Sequence, residues 1–280
     1  VRIELSDLTL VYDGVRALDG LNAVVDGRII GVLGANASGK TSLLRILAGL
    51  QTPTAGGAAI DGQRVRAGRR SQVSYLPQET GVFPFRQRPS ETLSLSMHLH
   101  GIAHPGAARQ LLASLGLQDR DTAETLSGGM KQKLRIAQAL VHAPQARLLL
   151  LDEPTTGLDT RERFRVLRMI QRLATRLSVL FSTHQPEDVA AICDQVLLLH
   201  CGRLVAAGSP EEITARAAGA VYEISFPGPE LPVLEGCEIV RAERTGEAFT
   251  LRVVGTAPEA ARPVPPRLED AVLLLTMDSG

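Results

Sequence analysis

An excess of charge is what this sequence most plainly lacks: 30 basic residues stand against 30 acidic ones. Neutralising a phosphate backbone takes a clear basic surplus, so nucleic acid is not expected as the main partner. Lysine occurs only at Lys40, Lys131 and Lys133, and the rest of the positive charge is arginine. Cysteine is limited to Cys193, Cys201 and Cys237, with no CxxC pair and no metal-ligand spacing. The three read as small buried apolar residues in a reducing compartment. No apolar run approaches the ~18 residues of a membrane helix, and the charged, alternating opening VRIELSDLTL is no signal peptide. A soluble chain is expected, with any membrane role reached through a partner. What is present is 44% hydrophobic residues, enough for a substantial core in one large domain or one domain with an appendage.

Residues 1 to about 25 alternate and are broken by DG turns at Asp13–Gly14, Asp19–Gly20 and Asp26–Gly27, which predicts an antiparallel β layer. RIIGVLG runs into a glycine-rich loop, and KTSLLRILAGL follows as an apolar-striped helix. Val73–Leu76 reads as a strand and residues ~85–145 as mostly helical. ARLLLLDEP and SVLFSTH are strands without polar alternation, the pattern of a parallel sheet buried on both faces. Arg161–Leu177 reads as a helix, VLLLHCGRLVAAG as a hairpin turning near Gly202, and SPEEITARA as a helix opened by a capping box of Ser209 and Glu212. The character changes after about Gly219. VYEISF and FTLRVV read as strands separated by Pro- and Gly-containing turns, APEAARPVPP as a stiff linker, and RLEDAVLLLTM as a final helix. The reading is α/β, with a main domain over residues 1–219, its helical part at about 85–145, and a small α+β domain over 220–280.

GANASGKT (Gly34, Ala35, Asn36, Ala37, Ser38, Gly39, Lys40, Thr41) fits G-x-x-x-x-G-K-[ST] between a strand and a helix, the context a phosphate loop requires. Backbone N–H groups of the loop and helix start, through Ser42, point at phosphate oxygens, and Lys40 adds a mobile positive charge. The Thr41 hydroxyl can ligate Mg²⁺. Ala37 stands where many such loops have glycine; a positive φ there strains alanine by about 1 kcal/mol. Asp152 and Glu153 emerge at the C-terminal end of a buried strand, where α/β sheets place ligands. Asp152 can hold Mg²⁺ through water while Glu153 polarises a water for attack on a γ-phosphate. A strand-end pair that merely caps a turn is the bland alternative. His184 ends another such strand, suited to a γ-phosphate or to orienting Glu153.

With these motifs the chain resembles the ATPase subunits of ABC transporters. The markers run in the family's order: Tyr12, GANASGKT, YLPQE with Gln78, LSGGM, LLLLDEP, TTGLD with Asp159, and STH with His184. The resemblance covers about residues 1–216. It implies a P-loop NTPase with a RecA-like core, an antiparallel β layer and a helical signature subdomain. It implies that Tyr12 stacks on adenine, that Gln78 senses Mg²⁺ and the attacking water while coupling to a membrane partner, that Glu153 is the general base and that His184 senses the γ-phosphate. It further implies ATP and Mg²⁺ as ligands and a head-to-tail pair of ATPase subunits. In such a pair Ser127, Gly128 and Gly129 of one subunit cover the ATP on the other's phosphate loop. Both half-sites are complete here, so a homodimer is the simplest arrangement. A transmembrane permease on a separate chain is the expected partner, with the ATPase cytoplasmic and peripheral on the inner face of the membrane. Met130 stands where glutamine is commonest, so that side chain's hydrogen bonds are missing. The tail RPVPPRLEDAVLLLTMDSG resembles that of ATPases serving bacterial export of drugs, antibiotics, lipids and polysaccharides. A soluble ABC ATPase acting on ribosomes or nucleic acid is the rival; this chain has neither the second cassette nor the long insertion those members carry.

Three lesser signals complete the reading. His98, His100 and His104 invite a metal site, but Gly101 and Pro105 interrupt the helix, and a surface of the helical part is favoured. Arg161, Arg165, Arg168, Arg172 and Arg176 form a helix face opposite Phe164, Leu167, Ile170, Leu173 and Leu177. A solvated face over a core stripe is favoured over a nucleic-acid or lipid patch. Phe83 and Phe85 can either dock a membrane subunit or pack the helical part.

Overall fold

The computed structural model describes residues 1–68, 72–78, 87–99, 106–117, 119, 122, 125–142, 146–228, 230–246, 248–258 and 261–277. His100, His104, Phe83 and Phe85 lie outside the described residues. Strands β1 (Arg2–Tyr12) and β2 (Val15–Asp26) pair antiparallel around Asp13–Gly14. Both turn residues have positive φ, 46° and 84°, as a two-residue hairpin demands and Asp and Gly tolerate. The layer is wider than its sequence pattern suggests. β4 (Ala55–Ile60) joins the far edge of β1, and β5 (Gln63–Arg64) joins β4. AGGAAI carries almost no side-chain signal, so only pairing with β1 identifies it as a strand.

The central sheet has the order β10-β9-β3-β8-β7-β6, built from β3 (Ile29–Leu33), β6 (Val73–Leu76), β7 (Leu148–Leu151), β8 (Ser178–Thr183), β9 (Gln195–His200) and β10 (Arg203–Gly208). All neighbours are parallel except β9 and β10, which form the expected hairpin. β3, β7 and β8 are buried at every position. The two-residue period of a strand sends Leu148 and Leu150 toward helix α1 (Lys40–Leu47) and the β layer. Leu149 and Leu151 face the opposite cluster, with α2 (Pro89–Leu99), α3 (Ala107–Ser114), α4 (Gly128–His142) and α5 (Thr160–Leu173). On and just after α5, Arg161, Arg165, Arg168, Arg172 and Arg176 are exposed as expected, but Phe164 is 50% exposed rather than part of the stripe. Leu167 and Ile170 are buried as expected, and Val166 and Met169 complete the buried face. Cys201 also departs from expectation: it is exposed at the β9–β10 turn, with φ 47°, while Cys193 is half-buried and Cys237 buried.

Beyond α6 (Pro186–Ile192), helix α7 (Pro210–Ala215) opens with the Ser209–Glu212 capping box. The C-terminal segment is a sheet of order β12-β13-β11-β14 with one helix. Its elements are β11 (Val221–Pro227), β12 (Cys237–Thr245), β13 (Ala248–Gly255), β14 (Arg262–Pro263) and α8 (Leu268–Met277). Two of them escape the sequence reading. β12, CEIVRAERT, is a largely exposed edge strand rather than a turn, and β14 lies within the segment expected as a linker. Leu268 and Ala271 of α8 share one apolar cluster with Leu33, Val189 and Ile213, so this segment is fused to the core. Among the described residues no helix is long and apolar enough to cross a membrane.

The tail motif has a structural job. Asp270 is fully buried and accepts from both Arg252 Nε (2.9 Å) and a terminal Arg252 nitrogen (2.6 Å), and from Arg267 N (2.6 Å). Asp270→Ala strands the Arg252 charge, and the expected destabilisation is about 3–5 kcal/mol. Urea unfolding checks this; an unchanged midpoint would show that the pair is dispensable.

Candidate nucleotide site

The parallel register brings four strand ends to one edge of the sheet. Leu33 lies beside Thr183, Phe181 beside Leu151, and Leu151 beside Leu76. From that edge leave the loop at Gly34, the acidic pair at Asp152, His184, and the Gln78 segment. A side chain at Gly34 would lie 2.3 Å from Leu199 O and 2.5 Å from Ser38 Oγ, so only glycine fits. Gly39 sits at φ 102°, with Ala17 O 2.6 Å from any Cβ placed there. Ala37 does adopt positive φ, 62°, so its strain of about 1 kcal/mol is real. Gly39 caps α1 with no side-chain acceptor, which leaves the first helical N–H groups without a capping partner. Ser38 Oγ is buried with no hydrogen-bond partner. Loop, helix start and orphaned hydroxyl fit a phosphate. Ala35, Asn36 and Ala37 are exposed on the loop, and Thr41 and Ser42 are half-buried behind it.

Lys40 is buried and donates to Gly34 O (2.9 Å) and Ala35 O (3.0 Å). Its ammonium also lies 3.2 Å from Glu153 Oε1. That ion pair is off hydrogen-bond alignment, so Oε1 keeps no hydrogen-bonded donor. Glu153 is itself held in the left-handed region at φ 49°, a strained backbone of the kind that clusters at functional sites. Its other oxygen accepts from Thr156 Oγ1 (2.7 Å) and meets His184 Nδ1 (2.9 Å). Burial pushes the Glu153 carboxyl up, but the Thr156 hydroxyl, the Lys40 charge and His184 together hold it below its ordinary value. Glu153 is therefore ionised at neutral pH. Against that carboxylate His184 Nδ1 is the donor. Of the two roles open to this histidine, orienting Glu153 is the one this geometry favours.

Asp152 is held from both sides. Ser182 Oγ donates to Oδ1 at 2.6 Å and the Tyr75 hydroxyl to Oδ2 at 3.2 Å. Burial and then the Asp152 charge raise the Tyr75 pKa to about 12, so the phenol stays a donor. Each carboxylate oxygen keeps a free lone pair, and with the Thr41 hydroxyl and the Gln78 amide the donors are hard oxygens that suit Mg²⁺. Ser182, Tyr75 and Thr156 were not singled out by the sequence reading. All three lie inside quoted motifs (STH, YLPQE and TTGLD), but nothing in the motifs says which carboxylate they hold. Asp188 was missed entirely. It is fully buried, bound by Thr155 Oγ1 at 2.6 Å and Arg163 Nε at 2.5 Å, and so ties α6 to α5 and to the turn after Glu153.

The remaining expected residues make no hydrogen bond to the loop, Lys40 or Glu153 among the described residues. Tyr12 is at the end of β1, 38% exposed, and Gln78 is exposed just beyond β6. Ser127 accepts from Met130 N at 3.3 Å and so caps α4, while Asp159 caps α5 by accepting from Glu162 N at 2.9 Å. Among the described residues no hydrogen bond or ion pair joins Ser127, Gly128, Gly129 or Asp159 to the loop, Lys40 or Glu153. The Ser127–Gly129 turn and the Gly34–Thr41 loop are thus two separate glycine-containing helix starts. That geometry coincides with what sequence comparison finds: residues 21–156 match the family model described as ABC transporter. A relative named Nod factor export ATP-binding protein I, from Paraburkholderia xenovorans, is 33% identical over 98% of this chain and 96% of its own. The chain belongs to the ABC transporter family. An uncharacterised ABC transporter ATP-binding protein of Bacillus subtilis, YxlF, is 34% identical over 72% of this chain and 68% of its own. Import ATP-binding proteins are among the matches too. A solved ATP-binding subunit of an ABC transporter superposes with TM-score 0.63 and 28% identity, over 77% of this chain and 93% of that one. As an ABC ATPase, the protein binds and hydrolyses ATP.

Proposed function

We propose that this protein is the motor subunit of an ABC exporter, and that Glu153 is the base that activates the attacking water. The observation that carries the chemistry is the Lys40–Glu153–His184 cluster beside a phosphate loop. His184 and Thr156 fix the carboxylate, and its depressed pKa keeps it charged. Engagement of Lys40 by a phosphate draws one of the lowering charges away and makes Glu153 a stronger base. Bound Mg²⁺, held by Thr41, Gln78 and Asp152, would supply charge neutralisation at the phosphates. Tyr12 stacks on the adenine. Ser127, Gly128, Gly129 and Asp159 act on the nucleotide of a second, identical subunit, which is why they stand apart from this chain's own loop. Closing that pair on ATP and opening it on hydrolysis drives a membrane permease on another chain, with the ATPase on the cytoplasmic face.

Export, rather than import, is supported by the likeness to the Nod factor export protein over nearly the full length of both chains, tail included. We divide the chain at about residue 219, with the C-terminal sheet as an accessory unit that α8 anchors to α6 and α7.

Ser127→Arg is expected to leave nucleotide binding by the single chain intact and to block pairing. Light scattering with ATP in the absence of Mg²⁺ checks it; dimers of normal yield would remove Ser127 from the interface. The transporter reading is tested by holding the Glu153→Gln form closed with ATP in its native cells and extracting it in mild detergent. A stoichiometric multi-helix membrane partner supports the reading. Recovery with ribosomes or nucleic acid and no membrane protein overturns it.

A further inference from the structure

A second cationic centre lies between α3, α4 and α5. A cavity of about 190 Å³ opens between the end of α3, α4 and α5, and its walls include Ser114, Gly116, Lys133, Arg165, Arg168 and Arg172. Four cationic side chains thus line one small concavity. Of these only Arg165 has an ion pair among the described residues, with Glu162 at 2.5 Å. The Ser114 hydroxyl donates to Leu111 O at 2.7 Å and keeps its lone pairs. Gly116, at φ 66°, has no side chain to fill the space; a Cβ there would stand 3.9 Å from Lys133 Nζ. Burial, and beyond it the charges of Arg165 and Arg172, hold the Lys133 ammonium below its ordinary pKa even against Glu162. The pocket is therefore short of negative charge. Two of its three walls carry ends that the proposed function uses: α4 begins at Ser127–Gly129 and α5 is capped by Asp159.

We propose that this cavity binds a compact phosphate-bearing anion, which clamps α4 to α5. The volume is below the ~300–1,000 Å³ of pockets for drug-sized ligands, so one or two phosphate groups are the right scale. Arginine forks and a lysine point charge are the side chains that recognise them. A bound anion would lock the angle between the signature turn and the Asp159 turn, and so act on dimer closure without touching the phosphate loop. The phosphate can come from a free metabolite or from a lipid headgroup.

The test uses the full chain with ADP in excess, so that the phosphate loop is occupied. Inorganic pyrophosphate is titrated by calorimetry at ~0.1 M salt, low enough to limit screening. In parallel, co-sedimentation is measured with phosphatidylglycerol vesicles, and with phosphatidylcholine as the blank. The result expected is one pyrophosphate per chain, with affinity at least about tenfold weaker in Arg168→Gln/Arg172→Gln and ADP affinity unchanged. Both arginines are exposed, so the fold survives the change, and Lys133→Gln is the second variant. If pyrophosphate fails but phosphatidylglycerol vesicles capture the parent and not the variants, the site stands and its phosphate is a lipid's. Binding of neither probe, or equal binding by the variants, overturns the proposal.

Discussion

Glu153→Gln is expected to lower ATP turnover several hundredfold or more, about 3–4 kcal/mol of transition-state stabilisation, while ATP still binds. The substitution keeps the shape of the side chain, and its amide oxygen can still accept from Thr156 and His184. It removes the negative charge 3.2 Å from Lys40, which frees the ammonium for phosphate oxygens. ATP should therefore accumulate uncleaved and hold two chains together. Phosphate release and particle size, measured on one sample, check both halves; near-normal hydrolysis would show that Glu153 is not the base. The pH dependence has a definite sign. Because the folded-state pKa lies below the ordinary carboxylate value, the ionised base persists through mild acid. Whatever stability its partners contribute is present above the unfolded-state pKa and is lost only as pH falls through the depressed value.

Lys40→Ala is expected to weaken ATP binding by at least about a hundredfold, the loss of a charge-assisted contact in a buried setting. Its consequences run through Glu153 as well. Without the ammonium the carboxylate loses one of the charges that offset its burial, so its pKa moves up. Equilibrium dialysis with ATP decides the matter. Unchanged affinity would mean that Gly34–Thr41 is not the phosphate loop, whatever its spelling. The two variants separate cleanly, since one binds without turning over and the other does not bind.

Much of this site was legible because its parts are local. The glycines at 34 and 39 are required by backbone clashes and by φ 102°, and those demands appear in the sequence as letters at fixed spacing. The capping box at Ser209–Glu212 and the unalternating β7 and β8 were readable for the same reason: each depends on neighbours in the chain or on burial from both faces. Phe164 was misread because helical periodicity marks a face without saying where the partner surface ends. Cys201 was misread because composition says nothing about a turn. β12 and the Gly-rich β4 were missed because edge pairing, rather than apolar alternation, makes them strands.

The sequence by itself determined the phosphate loop, the acidic strand end, the signature turn and therefore the family and its ATP chemistry. Only the tertiary structure decided how those groups are held. Lys40 meets Glu153, and Glu153 meets His184, because β3, β8 and β7 lie side by side in that order, which no spacing along the chain states. The same holds for Tyr75 and Ser182 on Asp152, for Asp188 beneath the turn after Glu153, and for Arg252 buried against Asp270. Such partners are far apart in sequence, and a buried charge is tolerable only where the sheet order delivers its counter-charge.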